Sequence, residues 1–256
     1  RNLLYERSLT SAEVTRDHNG ILNDLTVVSP GLFFVTSYLA RPDPPAGRTV
    51  LSEVMNAALV ITEMGDTQLL RCGYDATSNA TMVDLQCTPV ARGFKMANGL
   101  TGLVVPDVGG VLVMNDVINS TLVVFRLCGL SLDVCPGSPQ RIAMRHAADN
   151  IQRESAEGHS ASFIAGSIYS LKHAPRGPGK SVSPGGATRF RLDFNAVEES
   201  LRTGTIVANA TQADLAFHAG DVFPGTASAW AFRGHKLVVM GSFREPGFMV
   251  CRLPPR

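Results

Sequence analysis

The sequence has no excess of charge of either sign and no apolar run long enough to cross a bilayer. Its 256 residues carry 23 Lys and Arg against 22 Asp and Glu. A protein that grips nucleic acid needs a basic stripe to displace counterions from phosphates, and none is present, so no nucleic-acid partner is expected. No segment approaches about 18 uninterrupted apolar residues, so no transmembrane helix is expected either. Several signatures of catalysis are missing too. No G-x-S-x-G occurs, which leaves a serine nucleophile elbow unsupported. The six histidines (His18, His146, His159, His173, His218, His235) show no H-E-x-x-H and no paired metal-ligand spacing. "APRGPGKS", residues 174–181, fits a phosphate-loop pattern only loosely. Pro175 and Pro178 each remove an N–H that would cradle phosphate, and "VSPGGATRF" follows where a helix must begin.

With 45% hydrophobic and 18% charged residues the chain can bury a core, enough for one large domain or two small ones. The opening "RNLLYERSLT" starts at Arg1 and lacks the apolar centre of a secretory leader. The expectation is a processed chain or a piece of something longer.

Five cysteines are present. Cys72 and Cys87 flank "GYDATSNATMVDLQ", and Cys128 and Cys135 flank "GLSLDV"; each pair could bridge the strands of a hairpin. Cys251 is left over, which suggests a partner elsewhere or a free thiol. The alternative is five reduced thiols in a cytosolic protein. Three Asn-x-Ser/Thr sequons (Asn79, Asn119, Asn209) lean toward secretion as an extracellular or ER-lumenal glycoprotein, although about two would arise by chance at this composition.

Short runs rich in β-branched and aromatic residues dominate, among them "LTVVS", "GLFFVTSY", "GVLVMND", "STLVVFRL" and "HKLVVMGSF". They recur between Gly, Pro, Asn and Asp at intervals of about 8–15 residues, the spacing of an all-β sandwich, barrel or propeller. Two helices are expected. In "TVLSEVMNAAL", Leu51, Val54, Met55, Ala58 and Leu59 fall on one face, and "NAVEESLRTG" is closed by Gly204. Residues 170–187 read as a Pro/Gly-rich loop insertion.

A polar turn leads into two apolar strands four times: "ILNDLTVVSPGLFFVTSY", "MANGLTGLVVPDVGGVLVMND", "AADNIQRESAEGHSASFIAGSIY" and "GTASAWAFRGHKLVVMGSF". Each resembles the inner strands of a propeller blade, so residues 1–256 are expected to form a single partial β-propeller of about four blades. In three of the four, the turn carries amide or carboxylate groups: Asn23-Asp24, Asn98 and Asp149-Asn150. A lone Asn there is usually a turn former. Several in one place, at the mouth of a propeller channel, offer the hard oxygens that a calcium ion takes.

"GFKMANG" with the strand "VLVMNDVINSTLVVFRL", "ADNI" with "FIAGSIY", "LNDL" with "LFFVTSY", and the tail "GTASAWAFRGHKLVVMGSFREPGFMVC" together resemble the serum paraoxonase/arylesterase family. These are six-bladed propellers with two calcium ions on their axis. The resemblance implies that Asn23, Asn98, Asp149 and Asn150 hold a catalytic calcium and Asp24 a structural one. It implies hydrolysis of small-molecule esters or lactones through a polarised carbonyl. It also implies peripheral association with a membrane or lipid particle through N-terminal residues that this sequence does not include. The upstream portion of that family carries a further Glu ligand, an Asp and a His–His pair, none of which is here. Ile168 stands where the family has a pocket histidine, and Cys251 matches a cysteine whose partner is missing. Without those blades the ring is expected to stay open, with strand edges exposed. The alternatives are a calcium-stabilised propeller without catalysis that serves as a binding scaffold, and an enzyme of the gluconolactonase or strictosidine-synthase-like groups.

Overall fold

A computed structural model describes residues 8–10, 21–39, 49–61, 67–78, 82–137, 139–169, 183–220, 225–232, 234, 236–242 and 247–253. The chain divides into two compact units, Arg1–Ala97 and Asn98–Arg256.

In the first unit, β1 (Ser8–Thr10) pairs in parallel with β5 (Met82–Asp84). The main sheet is a four-stranded antiparallel meander of β2 (Ile21–Ser29), β3 (Leu32–Leu39), β4 (Thr67–Gly73) and β6 (Gln86–Phe94). Between β3 and β4 lies helix α1 (Val50–Ile61). Cys72 and Cys87 are register partners on β4 and β6 and are joined by a disulfide, as their flanking positions suggest. Val35 and Leu70 pack with that disulfide in one buried cluster. The helix expected over "TVLSEVMNAAL" is present, but its apolar face does not pack as expected: Leu51, Val54 and Met55 remain exposed.

The second unit stacks three sheets. The first is β7 (Ala97–Val105), β8 (Gly109–Asp116) and β9 (Thr121–Cys128), with β10 (Asp133–Val134) and β11 (Gln140–Ala143) both paired to β9. The Cys128–Cys135 disulfide closes the loop at its outer end. The second is the meander β12 (Ala147–Glu157), β13 (Ser160–Ile168), β14 (Gly185–Phe194) and β15 (Val207–His218). The third is β16 (Ser228–Phe232), β17 (Leu237–Gly241) and β18 (Phe248–Arg252). Helix α2 (Val197–Thr203) joins β14 to β15 and ends on Gly204, whose left-handed backbone lets its N–H reach the Ser200 carbonyl.

The order of burial explains the sequence pattern. β8 and β13 are covered on both faces, so "GVLVMND" and "SASFIAGSI" read as continuous apolar runs rather than alternating ones. The last strand of the second sheet, β15, is more exposed and mixes apolar with polar residues. Val111, Val113, Leu122 and Val124 of the first sheet meet Phe163, Phe190 and Leu192 of the second in one core. A smaller core holds Ile164 and Ala187 against Val238 and Met240 of the third sheet. Each large side chain buried this way contributes about 1.5–3 kcal/mol. The fold is all-β and propeller-like, a succession of antiparallel meanders. Each of the four repeat units identified in the sequence begins one sheet. Residues 170–182 of the expected loop lie outside the described residues, whereas 185–187 already belong to β14.

Candidate metal centre

Strand β12 carries an irregularity at the residues singled out in the sequence. Ala148 pairs with Ser167 and Ile151 with Ala165, so three steps on β12 oppose two on β13. The extra residue is a β-bulge spanning Asp149 and Asn150. Bulges re-aim side chains and cluster beside functional sites.

The bulge is braced from both neighbouring sheets. On one side, the Asn150 backbone N–H and its Nδ2 both donate to the carbonyl of Ala227, at 2.9 and 3.1 Å. A carbonyl has two lone pairs and can accept both. On the other side, Asn115 at the end of β8 donates from Nδ2 to the Asp149 carbonyl at 2.5 Å. The start of β7 presses on the same backbone at Gly99. A Cβ built there would lie 2.4 Å from the Ile151 nitrogen and 2.6 Å from the Asp149 oxygen. Only glycine permits this approach. Gly99 seats the strand against the bulge, and Asn98, the residue before it, is only 2% exposed.

Asn98 and Asn115 belong to neighbouring strands joined by a tight turn in which Val108 N–H donates to Val105 O. The first residues of β7 and the last of β8 therefore share one end of the sheet. The second unit thus joins Asn115 directly to Asp149, and sets Gly99, the residue after Asn98, against the Asp149–Ile151 backbone. Asn115 is the one not anticipated. It sits within "VLVMND", which reads as ordinary core strand, yet it is fully buried and its Oδ1 has no hydrogen-bond partner among the described residues.

Asn23 and Asp24 lie in the first unit, on a bulge of the same form. Leu22 pairs with Ser37 and Leu25 with Val35, again three steps against two. Asn23 is exposed and Asp24 half-buried. The Asp24 N–H donates to Thr36 Oγ1 at 3.1 Å, and the Asp24 carboxylate accepts the Leu25 N–H at 2.8 Å.

Among the described residues no three His, Cys, Asp or Glu side chains gather as a metal cluster. A site at the β12 bulge would be built on amide oxygens with one carboxylate. That donor set fits calcium, which takes neutral carbonyl oxygens readily, and does not suit thiolate- or imidazole-seeking metals. The buried Asn115 oxygen without a hydrogen bond and the close approach at Gly99 are consistent with such a centre.

The remaining positions fall elsewhere. Ile168 is buried at the end of β13. Cys251 is the free cysteine, on β18. Asn119 is exposed in the β8–β9 turn, where its Nδ2 donates to the buried Asp116 carboxylate at 2.7 Å, and Asn209 is exposed on β15. Asn79, His18, His173 and His235 lie outside the described residues. His146 is turned toward the outer strands: its ring stacks on Tyr169 at 3.8 Å between centroids, and Nε2 lies 3.6 Å from Asp214 of β15. Asp214 also accepts a hydrogen bond from Thr188, which itself accepts one from Ser167. Burial first, and the Asp214 carboxylate second, push the Tyr169 phenol up to about 12.

No family model and no curated protein matches the sequence. Among solved structures, the chain is similar to that of a "putative 6-phosphogluconolactonase" from Bacteroides uniformis, at 11% identity and a TM-score of 0.41. The match covers 94% of this chain and 53% of the other, so the chain spans about half the length of that protein.

Proposed function

We propose that the chain is a calcium-dependent hydrolase of small-molecule esters or lactones, with Asn98, Asp149 and Asn150 as ligands of the catalytic ion. The observation that supports this reading is the braced bulge at Asp149-Asn150, whose backbone is gripped by the buried Asn115 amide and by Gly99, next to the buried Asn98.

A calcium ion held there would supply Lewis-acid polarisation of a carbonyl. The rest of the task belongs to the chain. Asn98 is buried, so its amide dipole is fixed by packing rather than by solvent and needs no reorganisation when charge develops. Asn150 spends its Nδ2 on Ala227, which fixes the amide plane and leaves Oδ1 as the acceptor. Asp149 brings the only formal negative charge among the three. The set therefore offsets half the charge of a divalent cation and leaves it electrophilic, where an all-carboxylate cage would not.

The two disulfides support an oxidising compartment, hence secretion, and the exposed Asn119 and Asn209 are accessible for glycosylation. The test is turnover of phenyl acetate and of simple lactones by the full chain, after chelation and after calcium is restored. Activity should return only with calcium, and Asn98→Ala and Asp149→Ala should each abolish it. Turnover untouched by both substitutions would refute the assignment.

A second reading is favoured by Ile168, which places an aliphatic side chain where the resembling family has a histidine. The chain would then be a calcium-stabilised scaffold that binds without turnover. Calcium binding with no hydrolysis of either substrate class would select it.

A further inference from the structure

We infer that Asn115 is a further oxygen donor of the cation site at the β12 bulge, and the residue that sets the position of Asp149. The inference rests on the calcium reading above and extends it to a side chain that neither the repeat nor the resemblance marked.

The orientation of the Asn115 amide is determined by its partner. The Asp149 carbonyl can only accept, so the prong facing it at 2.5 Å is the NH2 group. The other prong is then the carbonyl oxygen. It is 0% exposed as part of its side chain and accepts no hydrogen bond from any described residue. Leaving a buried acceptor unpaired is unfavourable, and native interiors rarely do so without an ion, a water or a functional reason.

Apolar alternatives were open at this position. Val111 and Val113 share its side of β8 and pack into the core between the sheets, and a leucine or methionine would extend that core, losing only the bond to the Asp149 carbonyl. An asparagine there makes sense if both prongs are used, one on the Asp149 backbone and one on a cation. The distances allow it. The two prongs of an amide are about 2.3 Å apart from its bond lengths, so Oδ1 lies within about 5 Å of the Asp149 carbonyl. Oxygens that share one calcium shell, each about 2.3–2.6 Å from the ion, span the same range.

The test compares calcium-dependent melting of the full chain with that of Asn115→Leu, Asn115→Asp and Asp149→Ala, using calcium alone as the probe and terbium luminescence as a second readout. The wild-type chain should melt higher with calcium, and Asp149→Ala should lose that shift. Asn115→Leu should fold yet bind calcium roughly tenfold more weakly or worse. Asn115→Asp discriminates most sharply. It buries a carboxylate, so it should be destabilised in chelator and rescued by calcium, with a larger calcium shift than the wild type. A purely structural Asn115 would give an Asn115→Asp chain that is equally destabilised with and without calcium, and an Asn115→Leu chain with unchanged affinity. Either result overturns the inference and leaves the calcium reading standing. If the wild type itself shows no calcium shift, the calcium reading falls, and this inference with it.

Discussion

Asn23-Asp24 and Asp149-Asn150 sit on bulges of the same form, one extra residue on the first strand of a four-stranded meander. Their surroundings differ. Around Asp149 and Asn150 the backbone is gripped by Asn115, Ala227 and the bare Cα of Gly99. Around Asp24 the backbone exchanges hydrogen bonds with Thr36 of the neighbouring strand, and Leu22, Leu25 and Val27 of the same strand are exposed. The same backbone device is therefore braced from neighbouring sheets in the second unit, whereas its bonds with Thr36 in the first lie within its own sheet. A sequence pattern can repeat faithfully while the energetics beneath it do not, and substitution effects should follow the surroundings rather than the motif.

The sharpest break in the comparison is at Gly99. Gly99→Val forces a side chain into the Asp149–Ile151 backbone and should cost about 3 kcal/mol or more in urea denaturation. Its counterpart at the exposed bulge, Asn23→Ala, should change stability by no more than about 0.5 kcal/mol. Equal effects at the two sites would erase the distinction.

Thr36→Val comes next. It removes the hydroxyl that both accepts from the Asp24 N–H and donates to the Asp24 carbonyl, at 3.1 and 3.3 Å. A loss of about 1 kcal/mol is expected, measured by the same denaturation. A neutral outcome would mean that the first-unit bulge does not depend on that pair.

The smallest effect concerns Tyr169 in the second unit. Its folded pKa of about 12 lies above the ordinary value of 10.0, so the folded state favours the protonated phenol. The stabilisation is full below pH 10 and is lost as pH rises through 10 toward 12. Tyr169→Phe should flatten the stability profile in that alkaline window and leave it unchanged near neutrality. Absorbance titration should then lose a tyrosine step in that window.

Much of the fold was legible because the signals were local. Strand length, turn residues and continuous apolar runs gave the four sheet-forming units, since a strand buried on both faces has no polar side to display. Cys72 and Cys87 could be matched because both flank a hairpin, and Gly204 marked the end of α2 because a left-handed cap favours glycine. What stayed hidden was relational. Leu51, Val54 and Met55 form a helix face by spacing alone, and spacing does not say whether anything covers it. Asn115 lay within an apolar run. The informative signal was a buried amide where a methyl would serve, and burial depends on the neighbouring sheet rather than on the flanking residues. The bulge at Asp149-Asn150 was likewise invisible, because register is a property of two strands.

Calorimetric titration of the full chain with calcium tests the central claim most directly. The account predicts saturable binding that disappears in Asp149→Ala and in Asn98→Ala while both variants remain folded. Binding of the same affinity in those variants, or no binding by the wild-type chain, would contradict it.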